Sequence, residues 1–331
     1  MSTTVAARAP FFAASFGSMS FLARRLRAQL LAGRKADAPL PVVERLLAVQ
    51  AQDPRGARLA IRARSAGLTA ADVDAALTAD RSLVITWLNR GTLHLVRSED
   101  YPWLQQLTAP QLQTSTARRL AQEGVTPEAA ERGVAAIEQA LAEDGPLERD
   151  RLREQVAEAG VRTQGQAFVH LLALASIRGL IVRGPILDGR QAFVLVRDWL
   201  GEPRPVDRDR ALAELARRYL AGHGPATAAD LGRWAGLPLR DARAGLQAIA
   251  SELHRDERGL LDLKRRATSS RMPDPQLLGP YEPVLLGWTT RDAILGDDAA
   301  RVVSGGLFRA FALVRGRAAA TWTISREAVK L

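Results

Sequence analysis

The chain has 331 residues, 46 basic against 36 acidic side chains, 47% hydrophobic residues and no cysteine. Wholesale disorder, a membrane span of about 20 apolar residues, a disulfide framework, a thiol nucleophile and a thiolate-ligated zinc site are all excluded, and a cytoplasmic protein is expected. Residues 1–64 carry 11 basic and 3 acidic side chains while the remaining 267 carry 35 and 33, a concentration of positive charge that favours a polyanion such as nucleic acid.

In chain order, residues 1–36 contain no acidic side chain, and residues 1–18 read as a disordered leader before a helix bearing Arg24, Arg25 and Arg27. Val42, Val43, Leu46, Leu47 and Val49 lie on one helical face. Thr69 and Asp72 form a capping pair that opens a helix over 70–79. The run Leu83-Val-Ile-Thr-Trp-Leu88 is β-rich, Asn89-Arg-Gly91 is a turn, and 92–96 returns as a strand. Helices followed by a hairpin describe a winged helix. The grammar recurs after Gly145-Pro146, with a helix over 166–177 and strands at 180–183 and 191–196. A third copy follows Gly224-Pro225, where Gly236 and Pro238 suit a tight turn between helices. From about residue 277, short β-prone runs at 284–286, 301–303, 308–314 and 318–324 indicate a small antiparallel sheet or partial barrel.

The fold class expected is therefore mostly α with β (α+β). It comprises winged-helix modules at 19–125, 126–204 and 205–272 and a C-terminal β-barrel-like domain at 273–331.

The sharpest local feature is Val49-Gln-Ala-Gln-Asp-Pro54. Two positions along an α-helix rotate by about 200°, whereas in extended backbone i and i+2 share a side. Pro54 forces Asp53 out of helical geometry and makes a helix end here, so Gln50 and Gln52 can converge on one spot. As a bare pattern Gln-x-Gln is common. Asp53 can be an N-cap, a water-orienting carboxylate or a partner of Arg55 or Arg58. Strand alternation puts Arg90, Thr92 and His94 on one face, suited to phosphate or a base edge, or simply solvent-facing. His170, His223 and His254 read as structural, and the four histidines have no metal-ligand spacing, so neither metal nor cofactor is expected. No Ser-His-Asp set, P-loop or dinucleotide fingerprint is present. Tyr281, Trp288 and Trp322 can stack on a base or fill a core.

Leu46-Leu-Ala-Val-Gln-Ala-Gln-Asp-Pro54, Arg90-Gly-Thr-Leu-His-Leu-Val96, Tyr281-Glu-Pro-Val-Leu-Leu-Gly287 and Arg291-Asp292 resemble the AlkZ/YcaQ winged-helix DNA glycosylases from about Phe21 onward. That resemblance implies tandem winged helices and a C-terminal barrel around a DNA-binding face, and it maps the family's catalytic Gln-apolar-Gln motif onto Gln50 and Gln52. It implies excision of N7-alkylated purines from double-stranded DNA, and in some members crosslink unhooking or self-resistance. An N7-alkylated purine is already cationic and departs without protonation, so the glutamines need only orient water and stabilise an oxocarbenium-like centre. On this reading Asp53, Arg55, Arg58, Arg90, Thr92 and His94 contact DNA, with Arg62 and Arg64 beside them. The enzyme is expected to be a monofunctional monomer that needs no partner protein. The alternative is a non-catalytic winged-helix regulator, against which three unlike modules in one chain argue.

Overall fold

A residue run that must turn sharply, pair at an edge and re-enter a helix needs punctuation, and this chain supplies it three times. The computed structural model describes residues 16–202, 205–264, 271–296, 299–324 and 329–330. Most of the expected leader (1–15) lies outside the described residues, and α1 (Phe16–Ala28) begins within its last three positions.

The first recurrence runs α2 (Pro39–Leu46), β1 (Val49–Gln50), α3 (Pro54–Ala63), α4 (Ala70–Thr78), β2 (Leu83–Leu88) and β3 (Thr92–Arg97). The Thr69–Asp72 capping box is present at the start of α4, with the Thr69 amide donating to Asp72 at 2.7 Å. After α5 (Tyr101–Thr108) and α6 (Gln113–Gln122), the same order returns. It consists of α7 (Pro127–Asp144), β4 (Leu147–Glu148), α8 (Arg149–Glu158), α9 (Ala167–Ile177), β5 (Ile181–Leu187) and β6 (Arg190–Leu195). Following α10 (Val196–Leu200), the third comprises α11 (Arg208–His223), α12 (Ala228–Ala235), α13 (Leu239–Ala248), β7 (Leu253–Arg255) and β8 (Leu261–Leu263). Ala226 bridges to Leu261 where the earlier copies have β1 and β4. Gly236 ends α12 in left-handed geometry at φ 69°, and a Cβ there would meet the Asn89 carbonyl oxygen at 2.4 Å. Glycine is thus demanded both by the turn and by the β2–β3 loop lying against it.

The first two hairpins do not stand apart. They join along β2 and β5 into one antiparallel sheet of order β1-β3-β2-β5-β6-β4. Side chains alternate across it. Leu83, Ile85, Trp87, Leu95, Ile181 and Phe193 enter a core shared with α2–α4 and α7–α9. Val84, Leu88, Val96, Val182 and Val194 enter a second core formed with α1, α5, α11–α13 and the C-terminal segment. Because both faces are covered, Leu83–Leu88 is buried throughout, which is why it is apolar on both faces except at Thr86. The first core extends across residue 126 without interruption.

A buried polar row crosses this sheet near the glutamine motif. His94 faces Gln50 on β1 and Thr86 on β2. It is 3% exposed, and its Nδ1 donates to the Thr92 carbonyl at 2.8 Å. Burial, reinforced by the Arg90 charge and opposed by the bond to Thr92, holds its pKa down at about 3. The imidazole is therefore neutral, with Nε2 as an acceptor.

The C-terminal segment contains β9 (Gln276–Leu278), α14 (Asp292–Leu295), α15 (Ala299–Val302), β10 (Val303–Ser304), β11 (Leu307–Phe308), β12 (Phe311–Val314) and β13 (Arg317–Thr321). The expected barrel does not close among the described residues. Strands β9, β12 and β13 make a three-stranded sheet, and β10–β11 pair separately. Short helices interrupt the run, and the β12–β13 register shifts between Ala312 and Leu313, so the sheet is too short and irregular to wrap.

This segment is fastened to α3 by an ion pair with no solvent contact. Arg64, at the C-terminus of α3, bonds Glu282, the Gln29 side chain at 2.9 Å and the Ala60 carbonyl at 2.9 Å. Gly56, one turn into α3, lies so close to Pro280 that a Cβ would sit 2.5 Å from its carbonyl oxygen.

Removing one partner strands a buried charge, so Glu282→Ala should lose about 3–5 kcal/mol in denaturant unfolding, and Arg64→Met/Glu282→Leu should recover most of that. His94 gives a second expectation. The unfolded imidazole takes up a proton below about pH 6.5 while the folded one resists until about pH 3. The stability this residue adds is present above pH 6.5 and declines as pH falls toward 3. His94→Phe should therefore show a flatter loss of Tm than wild type on acidification from pH 7 to 4.

Candidate functional site

The motif is built where backbone changes type. Leu47 turns at φ 66° after α2, and Val49 and Gln50 pair with Leu95 and His94 on β3. The Ala51 amide then donates to the Leu93 carbonyl at 2.7 Å, keeping the chain extended for one more residue. Pro54 does not end a helix but opens one, at the first position of α3, where its missing N–H removes nothing. Gln50 and Gln52 accordingly share a side. Gln50 Nε2 donates to Gln52 Oε1 at 2.8 Å. Gln50 is 6% exposed while Gln52 is open to solvent. Their bond fixes both amides: among the described residues, the Gln50 carbonyl and the Gln52 NH2 group have no other partner, and one Gln52 carbonyl lone pair is unused.

These side chains border a cleft of about 170 Å³. Arg90 and Thr92 form its wall on the β2–β3 hairpin. Arg233 reaches it from the last turn of α12, and Tyr281, Arg291 and Phe308 reach it from the C-terminal segment. Arg90 donates to the carbonyls of Trp234 at 2.8 Å and Arg233 at 3.4 Å, capping α12. Burial, then Arg233 and Arg291, lowers its pKa to about 10, and Arg291 is lowered by burial and Arg233 in turn. Arg291 donates to the Leu285 carbonyl at 2.7 Å and lies over the Phe308 ring at 5.2 Å. Three guanidiniums thus surround two neutral amides, and no carboxylate is among the described residues bordering the cleft. Nor do the described residues include a group of three or more His, Asp or Glu side chains able to share a metal ion.

Other sequence candidates have different employment. Asp53 caps α3, its Oδ1 accepting from the Arg55 and Gly56 amides at 2.8 Å each. Arg58 is neutralised by Asp74 and also donates to the Pro54 carbonyl at 2.9 Å. Arg55 and Arg62 are exposed and have no ion pair among the described residues. Arg64, expected at a phosphate, is instead sealed against Glu282. The helical phase already separates it, since nine positions place it about 180° from Arg55 while Arg58 and Arg62 fall near Arg55's side. His94 is likewise corrected from a DNA-facing residue to a buried one, because β1 pairs along β3 and the second core covers its face. Trp288 and Trp322 are core residues whose indoles donate to the carbonyls of His223 and Leu278 at 2.9 Å. His223 stacks on Tyr219 with centroids 4.8 Å apart.

Arg233 was missed because nothing near it in sequence marks it. It joins the site only through the docking of α12 on the β2–β3 loop. A larger cleft, about 910 Å³, lies between α12, α13 and the β7–β8 hairpin, bordered by Arg240, Arg243, His254 and Arg255. It has basic side chains but nothing resembling the paired amides, and chemistry rather than volume selects the smaller cleft.

Comparison with known proteins identifies the family. The interstrand DNA cross-link repair glycosylase of Streptomyces sahachiroi is 30% identical over 330 residues, spanning 91% of this chain and 86% of its own length. The solved structure of Streptomyces sahachiroi DNA glycosylase AlkZ aligns with a TM-score of 0.77 at 26% identity, covering 95% of this chain and 90% of its own. A family model described as DNA glycosylase AlkZ-like matches residues 43–330. The chain belongs to the AlkZ-like DNA glycosylase family.

Proposed function

We propose that this protein hydrolyses the N-glycosidic bond of N7-alkylated purines in double-stranded DNA, including purines tethered in an interstrand crosslink. The carrying observation is the Gln50–Gln52 hydrogen bond at the edge of a cationic cleft without a carboxylate. An amide is a poor base, which rules the pair out for protonating or deprotonating chemistry at neutral pH. It is a good dipole for holding water. On departure, the C1′–N9 bonding pair goes to the purine and cancels its charge, leaving an oxocarbenium-like sugar. Gln50 Oε1 accepts a hydrogen bond from the incoming water, whose oxygen bonds C1′ and whose proton leaves to solvent. The exposed Gln52 amide steadies the same water from the other side.

The three arginines would repel a cationic base, so their natural counter-ions are the phosphates flanking the lesion. Arg55, Arg62 and the basic cleft beside α13 extend the same field along the duplex. The recurring helix, short strand, two helices and hairpin are read as three winged-helix modules serving that contact. A cleft of this modest size at the surface suits a bulky or tethered adduct better than a closed base pocket would. No lysine borders it among the described residues, which supports hydrolysis without a Schiff base and hence a monofunctional enzyme. The crosslink substrate rests on the activity named for the Streptomyces sahachiroi relative.

In single-turnover excision of 7-methylguanine from a duplex, Gln50→Ala/Gln52→Ala should slow release by about 10²–10³-fold, the scale of losing one preorganised polar group. Affinity for undamaged duplex should stay within about twofold; a parallel loss of affinity would make the motif structural. Arg233→Ala should weaken duplex binding and reduce the slope of log K against log salt by about 0.9, as loss of one phosphate contact requires. An unchanged slope would remove Arg233 from the DNA contact.

A further inference from the structure

A cationic base must enter a cleft whose only formal charges, among the described residues bordering it, are the three positive ones of Arg90, Arg233 and Arg291. Attraction for that base has to come from neutral groups. The free Gln50 carbonyl is one. The Gln52 carbonyl and the Thr92 hydroxyl offer further lone pairs, and aromatic faces, which are electron-rich, attract cations at close range across the whole plane of a base. Two rings border the cleft, Tyr281 and Phe308. Phe308 is nearly buried and already carries the Arg291 guanidinium at 5.2 Å from its centroid. Tyr281 is half-buried, and among the described residues its hydroxyl has no hydrogen-bond partner.

The backbone holds Tyr281 in place at some expense. Its φ is 54°, in the left-handed region that a bulky side chain rarely occupies. Strain of this kind persists only where the surroundings over-determine it, and it concentrates at working sites. Here both neighbours are fixed: Pro280 packs on Gly56 of α3, and Glu282 is held by the buried Arg64. Both anchors lie on the helix that begins immediately after the glutamine motif, so the ring and the amides are referenced to one rigid element. The Tyr281 ring also leans on Phe308, with centroids 5.7 Å apart and planes 37° from parallel.

We propose that Tyr281 is a specificity-determining residue that recognises the positive charge of an N7-alkylated purine through its ring face. This inference rests on the glycosylase reading and adds to it the group that separates a damaged, cationic purine from a neutral one. The ring, not the hydroxyl, is the operative part, and the Arg64–Glu282 pair acts on it only by positioning.

The test compares wild type, Tyr281→Phe and Tyr281→Leu. Each is measured for affinity to a duplex carrying 7-methylguanine on a hydrolysis-resistant 2′-fluorinated sugar and to the same duplex with guanine, alongside 7-methylguanine excision from an ordinary duplex. Wild type and Tyr281→Phe should prefer the cationic base to a similar extent. Tyr281→Leu should lose about tenfold of that preference with its affinity for the guanine duplex unchanged. Equal weakening toward both duplexes in Tyr281→Leu would make Tyr281 a packing residue and overturn the proposal. Loss of preference in Tyr281→Phe equal to that in Tyr281→Leu would move recognition to the hydroxyl and overturn it too. A wild type that excises 7-methylguanine without preferring it in binding overturns the Tyr281 assignment alone. A wild type that neither excises nor prefers it overturns the glycosylase reading as well.

Discussion

A guanidinium removed from water needs polar partners, and Arg64 finds the carboxylate of Glu282 across 218 positions of chain. Much of the architecture around the cleft depends on that pairing. It fixes the far end of α3, whose near end issues from the glutamine motif, against a loop that delivers Tyr281 and, a few residues on, Arg291. A buried pair of this kind adds little net stability compared with apolar side chains of the same shape. What it contributes is uniqueness of docking, because any other seating of the C-terminal segment would leave both charges unpaired. Gly56 enforces the same seating by sterics, admitting the Pro280 carbonyl where any side chain would exclude it.

Local chemistry was readable from the sequence wherever it was decided locally. The Thr69–Asp72 box, the strand Leu83–Leu88, the glycine at position 236 and the shared side of Gln50 and Gln52 all follow from period, capping and the constraint of a proline. Asp53 as an N-cap was one of three open readings, and the helix it caps settles its carboxylate there. What escaped was decided by distant contact. His94 alternates correctly with Leu93 and Leu95, yet whether its face meets water depends on what packs over it. The fusion of two hairpins through β2 and β5 leaves no mark in either strand, since both would be apolar in separate sheets as well. Of the C-terminal runs, 308–314 and 318–324 do hold strands, but 284–286 falls in a 3-10 helix (Pro283–Leu285) and 301–303 lies mostly in α15; these helical turns and the register shift prevent the closure that the number of runs suggested.

The site's electrostatics also follow from the lack of a carboxylate among the described residues bordering the cleft, Asp53 being turned away to cap α3. A carboxylate beside the water would be a stronger base, but among three arginines it would be drawn into ion pairs, as Asp74 is by Arg58. Neutral amides avoid that competition. Their hydrogen bond to each other supplies the rigidity that an ion pair would otherwise give, and His94, paired with Gln50 on the neighbouring strand, is kept uncharged by burial.

The cleft is assembled from parts far apart along the chain: the glutamines at 50 and 52, a wall at 90, a guanidinium at 233, and the ring and guanidinium at 281 and 291. During synthesis the glutamines emerge from the ribosome early, yet the cleft they border is complete only once the last of these residues has followed and docked. A fragment left by stalled translation or by proteolysis before residue 281 would keep the basic N-terminal surface without the assembled cleft on which the proposed excision depends. The cleft, and with it the proposed excision, is thus confined to the chain folded as a whole.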